Sequence, residues 1–201
     1  MSKSESSSSH GRLIAVVVAA ALVIILALLS AFIWPGWALN KAGSPSANQK
    51  STEAPTTPSI KAKPLPDGAS ELLKAMPDSV LNFARTEAAP SASWTGSSPI
   101  EEYTLTYSTG NEAQDVRVIV AQWSGADGAK GQYDALAAAM TGQELGAGSV
   151  KVSGNATGSY SVKTDPANAK NAVALWQNDT VVFQATGAKD SVERLYQKFP
   201  L

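Results

Sequence analysis

The stretch VVFQATGAKD, residues 181–190, reads almost as a second writing of IVAQWSGADG, residues 119–128, sixty-two positions earlier. Val120/Val182, Gln122/Gln184, Gly125/Gly187 and Ala126/Ala188 are identical, and Ile119/Val181 and Ser124/Thr186 are conservative. Each phrase starts with residues that favour strands, reaches a glycine and runs into helical apolar spacing. Tyr133, Leu136, Ala137 and Met140 follow the first phrase, and Val192, Leu195, Tyr196 and Phe199 follow the second. Both sets recur at i, i+3, i+4 and i+7, one face of an α-helix. Asp190 and Glu193 have capping-box spacing, which marks the start of the second helix. The repeat predicts two β-rich units, each ending in a helix, whose strands merge into one antiparallel sheet with the helices over one face. Gly125 and Gly187 are assigned to strand-to-helix turns, where glycine tolerates positive φ. Neither SGADGAK nor TGAKDS matches a phosphate-binding loop or a dinucleotide fingerprint.

Working outward, Tyr103, Leu105 and Tyr107 alternate in IEEYTLTYS, residues 100–108, as a strand requires. DVRVIVAQW, residues 115–123, is apolar on both faces and belongs in the middle of the sheet. VKVSGNA (150–156) and GSYSVKT (158–164) read as a strand pair after a Gly-rich loop at 142–149. NAVALWQ (171–177) and TVVFQAT (180–186) read as a hairpin joined across Asn178-Asp179. Upstream, ASELLKAM (69–76) predicts a short helix presenting Leu72, Leu73 and Met76 and ended by Pro77, and VLNFARTEA (80–88) predicts a strand. The order of elements over 69–201 resembles the sheet-and-helix ectodomains, broadly of the PsbP shape, of some bacterial envelope proteins. That resemblance rests on element order and implies no functional residues.

The N-terminal quarter has a different character. From Leu13 to Trp34 the chain is uncharged and apolar, interrupted only by Ser30. A helix of that length spans about 33 Å, enough for a hydrocarbon core of about 30 Å. A cleaved signal peptide would have an apolar region of roughly 7–15 residues and a small-x-small exit, whereas this run leaves through FIWPGW. The reading is therefore a cytoplasmic tail at 1–12, a membrane anchor at 13–37, a Ser/Thr/Pro/Ala-rich disordered linker at 38–67 and an extracytoplasmic domain at 68–201. Trp34 and Trp37 fit the membrane interface, where indole rings concentrate. Lys3 and Arg12 before the span are nearly balanced by Lys41 and Lys50 after it, so the short polar tail decides for an N-terminus in the cytoplasm. The fold class expected is thus α+β: a single transmembrane helix, a linker, then a small antiparallel sheet covered by helices.

Composition narrows the chemistry. The 201 residues carry a formal net charge of -1, with no global pull toward nucleic acid. There is no cysteine, and the single histidine is His10 in the N-terminal tail. Thiolate metal sites, cysteine nucleophiles and histidine acid–base chemistry are therefore closed to the domain, and no cofactor, metal site or catalytic residue is assigned. Glu101/Glu102 and Asp127/Asp134 are the acidic pairs that a hydrolase of envelope polymers could use. Neighbouring acids on a strand face opposite ways, however, and surface solvation accounts for them more simply. KTD at 163–165 lacks the companion motifs of penicillin-binding enzymes. Of the aromatic residues, Trp94 lies in the loop APSASWTGSSP (89–99) and is the candidate contact with a ligand or partner. The competing reading has its ring closing the core beneath that loop. The function expected is a single-pass plasma-membrane protein of a bacterial envelope. It is held to the lipid bilayer through residues 13–37 and presents a non-catalytic binding or accessory domain to an envelope protein or wall polymer. The alternatives are the carboxylate-dependent hydrolase and a sensor or assembly subunit acting through the membrane helix.

Overall fold

In the segment Val116–Gln122, Val116, Val118 and Val120 are fully buried on one side, while Ala121 is fully buried on the other. Only a strand at the centre of a sheet covered on both sides behaves this way. The computed structural model describes residues 54–200, and in them this strand is the fourth of eight. The strands are β1 (Ser79–Val80), β2 (Phe83–Pro90), β3 (Glu101–Ser108), β4 (Val116–Gln122), β5 (Glu144–Val152), β6 (Asn155–Asp165), β7 (Asn168–Asn178) and β8 (Val181–Ala188). They form one antiparallel sheet in the order β1-β2-β3-β4-β8-β7-β6-β5. Three short helices accompany it: α1 (Glu71–Ala75), α2 (Ala126–Ala139) and α3 (Lys189–Tyr196).

This corrects the expected fold class. The described residues are mostly an eight-stranded antiparallel sheet with few helices. Among them no helix is long and apolar enough to cross a membrane. The segment 13–37, with Trp34 and Trp37, lies outside the described residues.

The two phrases of the repeat do meet, since β4 pairs with β8. Their helices nevertheless cover opposite faces. Val192, Leu195 and Phe199 join Val118, Val120, Trp176 and Phe183 on one side; Ala129 and Tyr133 join Trp94, Trp123, Leu175 and Val182 on the other. The register supplies the reason. The repeat equates Val120 with Val182, but the ladder sets Val120 against Phe183. One step along a strand reverses the side chain, so matching residues of the two phrases point opposite ways. The helix that follows each strand goes with them.

Other local expectations change for equally local reasons. Gly125 has φ -157°, an extended N-cap for α2 rather than a positive-φ turn. α3 begins at Lys189 after Ala188, which offers no side-chain cap, so Asp190 sits inside the first turn. The Gly-rich stretch 142–149 forms most of β5, where the Tyr160 ring of β6 takes the space a side chain at Gly148 would fill and lies in ordinary contact range of Gly146. The turn between β7 and β8 is Asp179-Thr180, one residue beyond the expected pair, with Asp179 at φ 51°. VLNFARTEA is broken at Leu81 and Asn82, where the chain turns from β1 into β2.

Residues 54–67, read from composition as the end of a disordered linker, follow the surface of the sheet. The backbone N–H of Lys63 donates to the Arg85 carbonyl at 2.8 Å, and Arg194 donates to the Pro55 carbonyl at 2.7 Å. Ile60 and Leu65 are half-buried in this strap. Composition registered few apolar residues here, but backbone groups that find partners hold a proline-rich segment in place. On the α3 side the packing is aromatic: the Trp176 and Phe183 rings stack at 4.9 Å, and Phe199 meets Trp176 edge-on at 5.5 Å.

Candidate functional site

Trp94, the candidate contact residue, is 7% exposed. Its ring stacks on Trp123 at 6.3 Å and 26°, on the α2 side of the sheet. The loop between β2 and β3 folds over it through hydrogen bonds rather than apolar bulk. Glu102, on β3, is 6% exposed and turns both carboxylate oxygens into that loop. Its Oε1 accepts from Ser91 Oγ and from the Ser93 N–H, each at 2.7 Å; its Oε2 accepts from the Trp94 N–H at 2.9 Å. Trp123 Nε1 donates to the Ser97 carbonyl at 2.8 Å, closing the far end. A buried carboxylate is tolerable only when its oxygens are satisfied in this way. Ile100, 61% exposed, is the large apolar side chain this region presents to solvent.

The acidic pairs do not converge. Glu101 and Glu102 oppose Gln122 and Ala121 and so face opposite sides of the sheet, and Glu102 is enclosed by the loop. Asp134 forms an exposed ion pair with Lys130, and Asp127 lies in the first turn of α2. Lys163 of KTD donates to the Met140 carbonyl at 2.7 Å, tying the end of α2 to β6. Among the described residues no group of three or more His, Cys, Asp or Glu could hold a metal ion.

A second polar centre has no signature in the sequence. Arg85 of β2 is 1% exposed. Its Nη1 donates to the Met76 and Pro77 carbonyls, each at 3.1 Å, and its Nη2 donates to Asp78 Oδ1 at 2.7 Å and the Lys63 carbonyl at 3.3 Å. The Tyr107 hydroxyl donates to the same Pro77 carbonyl at 2.8 Å. The proline that ends α1 leaves carbonyls without helical partners, and the planar guanidinium collects them together with the strap. Beside it, along the outer edge of β2, lies a groove of about 310 Å³ flanked by Lys63, Pro64, Pro66, Arg85 and Glu87.

Burial pushes the Tyr107 hydroxyl well above the ordinary tyrosine range. Its neutral form is therefore favoured in the folded chain. That contribution is intact below about pH 10, where the unfolded tyrosine titrates, and declines as the pH rises toward the folded value. Tyr107→Phe should cost about 1 kcal/mol at pH 7 for the lost hydrogen bond. The difference from the parent should then close above pH 10, because only the parent carries the penalty of ionising this group. Urea unfolding at pH 7 and pH 11 checks this; parallel declines for the two proteins would contradict the burial of that hydroxyl.

The α2 side is open beyond the helix. There the register aligns Glu87, Thr106, Arg117, Thr186, Val173 and Lys163 in one row across six strands. Arg117 and Glu87 are exposed, and Thr106 and Thr186 are half-buried. Within this row the Thr106 hydroxyl donates to Glu87 Oε2 at 3.2 Å, and the exposed Arg117 guanidinium stands beside it.

No protein-family model matches the chain, and no curated protein matches it. A GTP-binding regulator from Thermotoga maritima, known from a crystal structure, is similar over 59% of this chain and 78% of its own, with 11% identity and a TM-score of 0.37. That likeness is too slight to carry an argument.

Proposed function

We propose that the protein is a membrane-tethered, non-catalytic binding module of a bacterial envelope, with residues 13–37 as its attachment to the lipid bilayer and residues 54–200 presented outside the cytoplasm. The observation that carries this reading is the layout of the chain: an uncharged apolar run from Leu13 to Trp34, then a polar segment, then a sheet domain. The row around Arg117 is the surface we assign to its partner, an envelope protein or wall polymer rich in hydrogen-bonding groups.

Fractionation tests the placement. The full chain should stay with membranes through alkaline carbonate extraction, and protease added to spheroplasts should digest the region beyond residue 54. Recovery in the soluble fraction, or protection of that region in intact spheroplasts, would overturn the reading. The detergent-solubilised chain should also sediment with insoluble wall material, and Arg117→Ala should weaken that binding several-fold without altering the fold.

A further inference from the structure

The two edges of the sheet are finished differently. Beyond β2, the edge is shortened to the two residues of β1, kinked by a bulge at Thr86 and covered by the strap, whose Lys63 N–H bonds to Arg85. These are the usual protections of an outer strand. β5, at the other edge, is nine residues long; its ladder to β6 is bulged at Leu145, but among the described residues no strap or further strand covers it. Ala147, Gly148 and Ser149 at its middle are exposed and lack bulk, and among the described residues no strand pairs with its outer side. A row of unpaired N–H and C=O groups in this form is a template for another strand.

We propose that the outer edge of β5 is the interface for a second copy of this chain, paired antiparallel about a twofold axis at Gly148. The charges at its ends select that arrangement. Glu144 and Lys151 are both exposed and stand near opposite ends of the strand. Parallel pairing would set like charges together, whereas antiparallel pairing sets each beside its opposite. The register agrees in detail. With Gly148 on the axis, Ala147 opposes Ser149 and Gly146 opposes Val150 of the second copy. In the existing β5–β6 ladder Leu145 is an extra residue, since Glu144 pairs with Lys163 and Gly146 with Val162. The same bulge read outward brings Glu144 opposite Lys151, on the same face, twice by symmetry. Val150 then lies over Gly146 of the other copy, beside the edge of the Tyr160 ring. The twofold arrangement uses both β5 edges and leaves only the covered β2 edges outside, so the assembly closes at two copies instead of growing.

The chain has no cysteine of its own, so introduced ones report on this pairing directly. Opposed residues in an antiparallel pair have Cα atoms about 4.5–5.5 Å apart, inside the range of a disulfide. Full-length Ala147→Cys and full-length Ser149→Cys, mixed in detergent and oxidised, should give a covalent dimer at least five-fold more abundantly than either alone. Glu144→Lys added to both chains should reduce that yield several-fold, and Glu144→Lys with Lys151→Glu should restore it. A mixed yield no higher than the single variants would overturn the proposal. So would indifference to Glu144→Lys, or failure of the double reversal to recover cross-linking, because each contradicts the register. A partner peptide occupying this edge instead would appear as a monomeric chain with no cross-link, and would count against a second copy.

Discussion

Arg85→Met should destabilise the folded region by about 2–3 kcal/mol: the Met76 and Lys63 carbonyls lose their donor at about 1 kcal/mol each, and the Pro77 carbonyl loses one of two, keeping the Tyr107 hydroxyl. The acceptors are Met76, Pro77 and Lys63. The ion pair adds little, because the Asp78 side chain is 79% exposed and water takes over its charge when the arginine leaves. Methionine fills much of the volume, so the effect isolates hydrogen bonding from cavity formation. Arg85→Lys should recover only part of the loss, since one ammonium cannot reach four acceptors spread around a planar fork. For a domain of ordinary stability, about 5–15 kcal/mol, the loss would be large. The urea midpoint should fall accordingly, and limited proteolysis should cut within 54–67 faster than in the parent, because the strap loses one of its ties. A midpoint within error of the parent would mean that α1 and the strap are held by something other than this guanidinium.

Arg85 also shows where reading the chain in one dimension stops. The apolar alternation of β3 and β4 and the apolar stripes of α2 and α3 depend on near neighbours, and they appear in the sequence. Arg85 gathers carbonyls from Lys63 and from Met76 and Pro77, and nothing about an arginine in NFARTEA marks it for burial. Glu102 presents the same difficulty: as one of two adjacent acids it looks like a solvated surface group. Only the return of the loop from Ser91 to Ser97 encloses it. The face of each helix was hidden for a third reason. The repeat relates Val120 to Val182, but which residue opposes Val120 is set by the ladder, and a one-residue difference reverses the answer. In the Gly-rich stretch 142–149, propensity argues for a loop and the partner strand decides otherwise: Tyr160 supplies the bulk that Gly148 lacks. Trp94 admitted two readings from composition, and its stacking on Trp123 is a contact with a residue just past the end of β4, distant in sequence.

Glu102→Ala should be the most informative change at the Trp94 loop. It removes the acceptor for Ser91 Oγ and for the N–H groups of Ser93 and Trp94 at once. Hydrogen bonds to a charged group contribute about 1.5–3 kcal/mol each, but Ser91 and Ser93 can turn to water once the loop loosens. The expected net loss is therefore about 3 kcal/mol. Glu102→Gln keeps one oxygen acceptor and should lose about half as much. The loss should have a spectroscopic counterpart. With its anchor gone, the loop should lift Trp94 from Trp123, exposing both rings to acrylamide quenching and shifting their emission to the red. Trp94→Phe in the same background should remove most of that change. If Trp94 instead stood in solvent as a contact for a ligand, Glu102→Ala would leave quenching as it was. A destabilised variant with unchanged quenching would place the effect in the sheet rather than the loop. The two readouts together thus decide whether the carboxylate organises the indole or only fills β3.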